Sequence, residues 1–539
     1  MTVIAAFLAA GVLTAQEDAA SITQRIEVTR QYVPELGEAQ KLDFPPRMAD
    51  TVTLKPDISY AITPTPWKSV FDTEPIAPVA ISTAEYRHQR PFYLMLGGGY
   101  PAQSRLDFYA AFSTPRDIRA GVYANHVGQW AKLENERGTK EPASWTENGV
   151  GLYAGRDFGT RSLDFDIRYG YNYTTMDKVW TGYMEPENIY YHKVQTSLTF
   201  GDAFTDLSRF NYRFGIAGSL WGTVVENPAA SAFADFGWKA GRRGAVVVGA
   251  SFEGAWNDWD TGDWYAALVP EYRLRTDRLS LHVGVKFYYD SFRLSATDCG
   301  SHFFVLPKVG VSYELADAFI PYASLDGEIG TGNYLELAGL NPYIHEADIA
   351  GAKRAELRGG FRGDAGDVVT YDVYAGYLIG ELPYFLKTGE TFVPRLAPVN
   401  LFYAGAGVGL KLPMGFGLQA GVRYDSYNNA GNFWSGRGGR VGMGIPEFTV
   451  TGRASYCYRD RFSVGISVEV LGERRFASLQ NLDTAVPATV NLKVDAEYKT
   501  GPRFSIFAAG DNLLNRRIYR CLGYPALGAN AVAGIRMLF

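Results

Sequence analysis

The stretch LDFDIRYGYNY, Leu163 to Tyr173, puts a large apolar or aromatic side chain at every odd position. Asp164, Asp166, Arg168, Gly170 and Asn172 take the even positions. Period two over such a length marks an extended strand with two unlike faces. The scheme recurs along the chain. LSLHVGVKFYYD sets Leu279, Leu281, Val283, Val285, Phe287 and Tyr289 against a face holding His282 and Lys286. AELRGGFRG carries Arg358 and Arg362 on its polar side, FGLQAGVRYD carries Arg423, and VNLKVDAEY carries Lys493, Asp495 and Glu497.

A soluble sandwich produces this alternation by turning its apolar face into a core. A transmembrane barrel produces it by turning the apolar face to lipid and the polar face to a lumen. The connections decide between them. Short ones (159–161, 241–244, 276–278, 363–367, 413–415, 459–461) alternate with long ones (134–147, 174–187, 292–302, 331–353, 382–398, 427–446). Short turns on one side and long loops on the other are the habit of an outer-membrane barrel. Trp130, Trp180, Trp221 and Trp264 near strand ends fit its aromatic girdles. The expected fold is therefore all-β, a transmembrane antiparallel barrel of about 22 strands over residues 92–539, in the cell outer membrane.

The remaining chain agrees with export. The run Val3 to Val12 has the length of a signal-peptide core, and Ala15 precedes a plausible cleavage point, so 1–15 is read as a signal peptide. Prolines crowd residues 16–91, and proline favours extended, unpaired chain; this segment is read as a periplasmic arm. No apolar run is long enough for a spanning helix. A net charge of −5 with 14% aromatic residues gives no sign of nucleic-acid binding. Three cysteines, an odd number, exclude a complete intrachain disulfide framework and match no metal spacing.

The C-terminus adds a resemblance. In RFSIFAAGDNLLNRRIYRCLGYPALGANAVAGIRMLF, the turn Asn512, Leu513, Leu514, Asn515, the loop with Tyr524, Pro525 and Gly528, and the terminal Phe539 resemble the end of TonB-dependent outer-membrane receptors. The resemblance implies a large barrel, solute uptake, and a terminal aromatic read by the barrel assembly machinery. Those receptors carry a folded plug before the barrel. The arm and the loop GNYLELAGLNPYIH, 332–345, instead look similar to plugless receptor-like barrels of Bacteroidota.

No catalytic residues or cofactor are expected. There is no Walker loop, no G-x-S-x-G, no HExxH and no paired CxxC. The histidines are scattered, and none has a helical i, i+4 partner. Three functions are weighed: a solute passage or uptake protein; a non-transporting scaffold that docks a periplasmic or outer-membrane partner through 16–91; and a barrel enzyme with a catalytic group at the rim, which is set aside because barrel enzymes tend to be narrow and the sequence shows no convincing dyad. In the first two, Asp164, Asp166, Arg168, His282, Lys286, Arg358, Arg362, Arg423, Lys493, Asp495 and Glu497 are candidate lumen residues.

Overall fold

The computed structural model describes residues 91–539, apart from the connections at 114–117, 135–137, 139, 176–188, 205–208, 223–226, 257–261, 296–297, 317, 345–350, 367, 390 and 430–440. The signal peptide and all of the arm except Pro91 lie outside the described residues, as does Trp180.

Twenty-two antiparallel strands close into a barrel, each pairing with the next in the chain. Closure is made by the first strand, Phe92–Tyr100, against the last, Asn530–Leu538. At the end of that seam Phe92 and Phe539 exchange backbone hydrogen bonds of 2.8 and 3.0 Å, and their rings stack with centroids 5.6 Å apart. No sheet edge is left along the wall, which is what a bilayer demands of a strand protein.

Residues directly opposite in an antiparallel ladder point to the same side of the sheet. Register therefore carries a face from strand to strand. Asp166 pairs with Ser197, Ser197 with Ala217, Ala217 with Ser231, Ser231 with Glu253, Glu253 with Tyr265 and Tyr265 with Asp290. The opposite side carries Ile216, Val305 and Leu357, whose exposures are 59%, 53% and 54%. Large aliphatic groups so exposed on strand after strand form an apolar belt, suited to lipid and costly in water.

The short turns share the end where Phe92 and Phe539 sit, and the long connections share the other. Not every turn at the long-loop end is long: only Pro101 and Ala102 join the first two strands, and two later hairpins turn as tightly at 296–297 and 389–390. Two expected loops are instead strand. The segment 292–302 lies mostly within the hairpin Leu279–Ser295 and Asp298–Tyr313. The segment 382–398 belongs to Val369–Thr388 and Thr391–Leu412, the longest hairpin. Its prolines read as loop signals, and the register explains why they are tolerated. The preceding strand pairs only as far as Gly380, and the following one only from Asn400. Pro383, Pro394 and Pro398 therefore lie where the hairpin has left both neighbouring wall strands, and its outer edges meet only short segments near Leu386–Lys387 and Phe392, so a missing N–H at the prolines breaks no ladder with the wall.

Candidate functional site

Side chains on the polar face reach across an intervening strand to meet partners two strands away. Such convergence needs a concave surface, and in a closed sheet that is the inner one. Arg119 meets Asp164 at 2.9 Å across the strand Trp145–Phe158, above Gly155. Arg453 meets Asp495 at 2.8 Å across the strand Phe462–Leu471, above Gly465. A Cβ at Gly465 would stand 2.4 Å from the Arg453 guanidinium, so the glycine is what lets the pair lie flat on the wall.

All eleven sequence-proposed residues share this face, mostly in polar pairs. Asp166 accepts from the Tyr123 hydroxyl at 3.2 Å, and Arg168 donates to Asn125 Oδ1 at 3.2 Å. Lys286 reaches Asp326 at 2.7 Å. Arg358 stands 3.7 Å from Asp372 and lies over the Tyr374 ring, while Arg362 covers the Tyr322 ring. Arg423 forks onto Asp425 at 2.7 Å. Lys493 lies 3.8 Å from Glu469 and 3.9 Å from Asp511, and Glu497 pairs with Arg536. His282 packs over Gly310 opposite Arg273. The wall thus alternates sign at short range. Polar and ionised groups share this face, and the charges named here stand beside groups of opposite sign, polar groups or aromatic rings.

The long-loop end is crossed by a packed cap. Its helix, Tyr334–Leu340, starts at Asn333, whose Oδ1 accepts from Leu335 N at 3.0 Å. Tyr334, Leu337 and Ala338 lie on one helical stripe and are buried. The stripe packs on Tyr191 and Trp221 of the wall, and on Phe392, Val486, Cys521 and Tyr524 from connections elsewhere around the barrel. Tyr343 stacks on Tyr524 at 3.8 Å, and Phe392 N donates to Tyr343 O at 3.0 Å. A second cluster seats Val441, Met443 and Ile445 on Leu378, Leu382, Tyr384 and Leu401 of the long hairpin. Thr331 anchors the helical loop to Glu253 of the wall at 2.8 Å.

Trp221 corrects one sequence reading. It is 3% exposed, on the concave side, with its ring 3.6 Å from Tyr191 and 5.6 Å from Tyr334. It is a cap residue and no part of a girdle. Trp130, at 45% exposure, does stand at the outer rim. The cap was the site that strand periodicity missed. Its signal was present in NYLELAGL: an Asn N-cap before apolar residues at helical spacing.

Within the cap, Glu336 carries a carboxyl raised to about 8 by desolvation and by the Glu253 carboxylate. Burial pushes the Cys521 thiol up to about 12.

A closed barrel of this strand number, with an apolar belt outside and a charged wall inside, is an outer-membrane β-barrel. Its fold is that of the TonB-dependent outer-membrane transporters. The structure is similar to that of the copper transporter OprC (TM-score 0.61, 13% identity, covering 84% of this chain and 82% of that one). It is also similar to the FrpB iron transporter from Neisseria meningitidis (TM-score 0.65, 10% identity, 83% and 82%). P. aeruginosa FpvA bound to heterologous pyoverdine with iron superposes with TM-score 0.61 at 13% identity, covering 83% and 71%. No family model and no curated protein matches the sequence.

Proposed function

We propose that this chain is a solute passage or uptake protein of the outer membrane, with the concave wall as the path and the loop cap as its gate. The observation that carries the reading is the wall itself: ionised groups of both signs recur around the inside of a closed barrel whose outside is apolar. A scaffold needs the apolar outside but has no use for a polar interior of this extent. The mixed signs suit a polar solute better than a simple anion or cation. The cap suits a gate because it is built from connections far apart around the ring, held mainly by apolar contacts that one ligand could rearrange. In this reading residues 1–15 are the export signal. Residues 16–91 are an arm on the short-turn, periplasmic side, and Phe539 is the terminal signal for assembly.

The test is conductance of the purified chain in planar bilayers. Tyr334→Ala removes the aromatic at the centre of the cap, a truncation that costs about 3–5 kcal/mol in a packed core. Phe392→Ala removes the facing ring. The double variant should open frequent, large, ohmic events where the unaltered chain is mostly closed. A folded double variant with unchanged conductance would refute the cap as gate. No conductance in either, together with a stoichiometric partner on purification, would favour the scaffold.

A further inference from the structure

The outer, lipid-facing side of the second, third and fourth barrel strands holds a polar row that the transport reading leaves unused. Ser104 lies on the strand Gln103–Ser113, His126 on Ile118–Gln129 and Asn148 on Trp145–Phe158. The register pairs Leu106 with His126 and His126 with Asn148. It also pairs Leu96 with Leu106 and Gly98 with Ser104. These residues therefore share the face opposite the ion-paired wall residues Arg105 and Asp107.

The three side chains are hydrogen-bonded in sequence. Ser104 Oγ is 2.5 Å from His126 Nε2, and His126 Nδ1 is 2.6 Å from Asn148 Oδ1. Asn148 Nδ2 donates to the Tyr171 carbonyl at 3.0 Å, which fixes the amide with its oxygen toward the histidine. An amide oxygen only accepts, so Nδ1 carries the proton. In the neutral ring Nε2 is then the free base, and the Ser104 hydroxyl donates to it. A nucleophile, a base and a group that orients the base by its second nitrogen are the parts of a serine-hydrolase triad, recognised by geometry and not by chain order.

The surroundings match a substrate with a long acyl chain. Ser104 is flanked by Gly98 on one neighbouring strand and Gly128 on the other. At Gly98 the nearest atom to an added Cβ is 3.8 Å away, so the hydroxyl is open on that side, while the Trp130 ring fills the space over Gly128 and walls the other. A groove of about 470 Å³ includes Ser104 and His126 and is lined by Leu96, Leu106 and Ile535. Those three lie two residues further along their strands toward the short-turn end, so the groove descends from the triad into the depth of the bilayer. The triad itself is next to the short Pro101–Ala102 turn, at the level of the exposed Tyr100 and Trp130. Aromatic rings at that height mark the membrane interface, where acyl-ester carbonyls lie.

We propose that Ser104, His126 and Asn148 form a hydrolytic site on the outside of the barrel that cleaves long-chain acyl esters of lipids in the outer leaflet. Ser104 Oγ attacks the ester carbonyl carbon while its proton passes to His126 Nε2. The bond from that carbon to the alkoxy oxygen breaks, and His126 returns the proton to the leaving alcohol, releasing the deacylated lipid. Water then attacks the acyl-serine and gives its proton to His126. The fatty acid departs as His126 reprotonates Ser104. Asn148 holds the ring in the tautomer that both steps need.

The experiment uses the full chain, folded and reconstituted, with heat-modifiable mobility as the folding control for each variant. A lipophilic fluorophosphonate should label the unaltered chain at Ser104. Labelling should be lost in Ser104→Ala and strongly reduced in His126→Ala. Vesicles of diacyl phospholipid alone, and vesicles containing lipopolysaccharide, are assayed in parallel for fatty-acid release. Release should fall by about 1,000-fold or more in Ser104→Ala. Release from the first vesicles assigns glycerophospholipid esters; release only from the second assigns the acyl esters of lipid A. An unlabelled Ser104 in the folded chain, or release that survives Ser104→Ala, overturns the proposal. Labelling without release from either vesicle overturns the lipid assignment.

Discussion

Replacing Val283 by arginine tests which side of the wall meets lipid, and how deep. Val283 is 44% exposed and alternates with His282 and Gly284 on the strand Leu279–Ser295. It stands four residues beyond Leu279. At about 3.4 Å per residue and a tilt of about 40°, that is roughly 10 Å above the short-turn rim. The apolar band is about 25 Å tall, so Val283 lies near its middle. Arginine there should cost about 2–4 kcal/mol. Leu357 offers a comparison at another depth. It lies eight residues from Ala365, at the short-turn end of the strand Ala352–Ala365, or roughly 21 Å up by the same geometry. Leu357→Arg should therefore cost only about 0–1 kcal/mol. The assay is reversible urea unfolding from lipid vesicles, with Val283→Ala and Leu357→Ala as size controls. Equal costs at the two depths, or a Val283→Arg variant as stable as Val283→Ala, would refute the lipid-facing assignment.

Deleting Phe539 removes the residue that closes the seam on Phe92, and should lower the yield of heat-modifiable barrel in the outer membrane; unchanged yield would contradict its role. The Arg453–Asp495 pair should show a coupling of about 0.5–3 kcal/mol in a double-mutant cycle of Arg453→Met and Asp495→Asn, measured by urea unfolding. In a chain with Cys299→Ser and Cys457→Ser, Cys521 should resist maleimide, since its thiol is buried and pushed up to about 12; Tyr334→Ala should make it reactive. Glu336 gives the cap a pH dependence. Its carboxyl is raised from 4.5 to about 8 in the folded cap, so the folded state holds the proton more tightly. Stability from that group is complete below about 4.5 and is lost as pH rises through about 8. Hydrogen exchange of Tyr334–Leu340 should therefore be faster, relative to intrinsic rates, at pH 9 than at pH 5, and Glu336→Gln should flatten the difference.

The wall was legible because each strand states its two faces locally. LDFDIRYGYNY and VNLKVDAEY need no partner to show which residues travel together, and the register then aligns their faces around the ring. Strand ends were less legible. Pro383, Pro394 and Pro398 look like loop residues until one sees that their hairpin outruns both neighbours. The cap was hidden because its contacts join residues as distant as Tyr191 and Tyr524, and no local pattern encodes that meeting. Ser104, His126 and Asn148 were hidden for a related reason. They are spaced 22 residues apart in the chain, so a search for helical spacing or a contiguous motif passes over them. Only cross-strand pairing makes them neighbours.

The most direct test of a closed barrel is a covalent bond across its seam. Leu96 and Ile535 are directly paired in the register of the first and last strands. Cα atoms of such pairs lie about 4.5–5.5 Å apart, within the range a disulfide spans. The measurement is oxidative cross-linking of Leu96→Cys/Ile535→Cys in outer membranes, with Cys299, Cys457 and Cys521 replaced by serine, read as a mobility shift of the denatured chain on a non-reducing gel. Closure predicts a high yield of the looped species, and a much lower yield for Leu96→Cys paired with Leu538→Cys, which the register places apart. No cross-link at Leu96 and Ile535, or equal yields for the two pairs, would mean that the first and last strands do not meet as described.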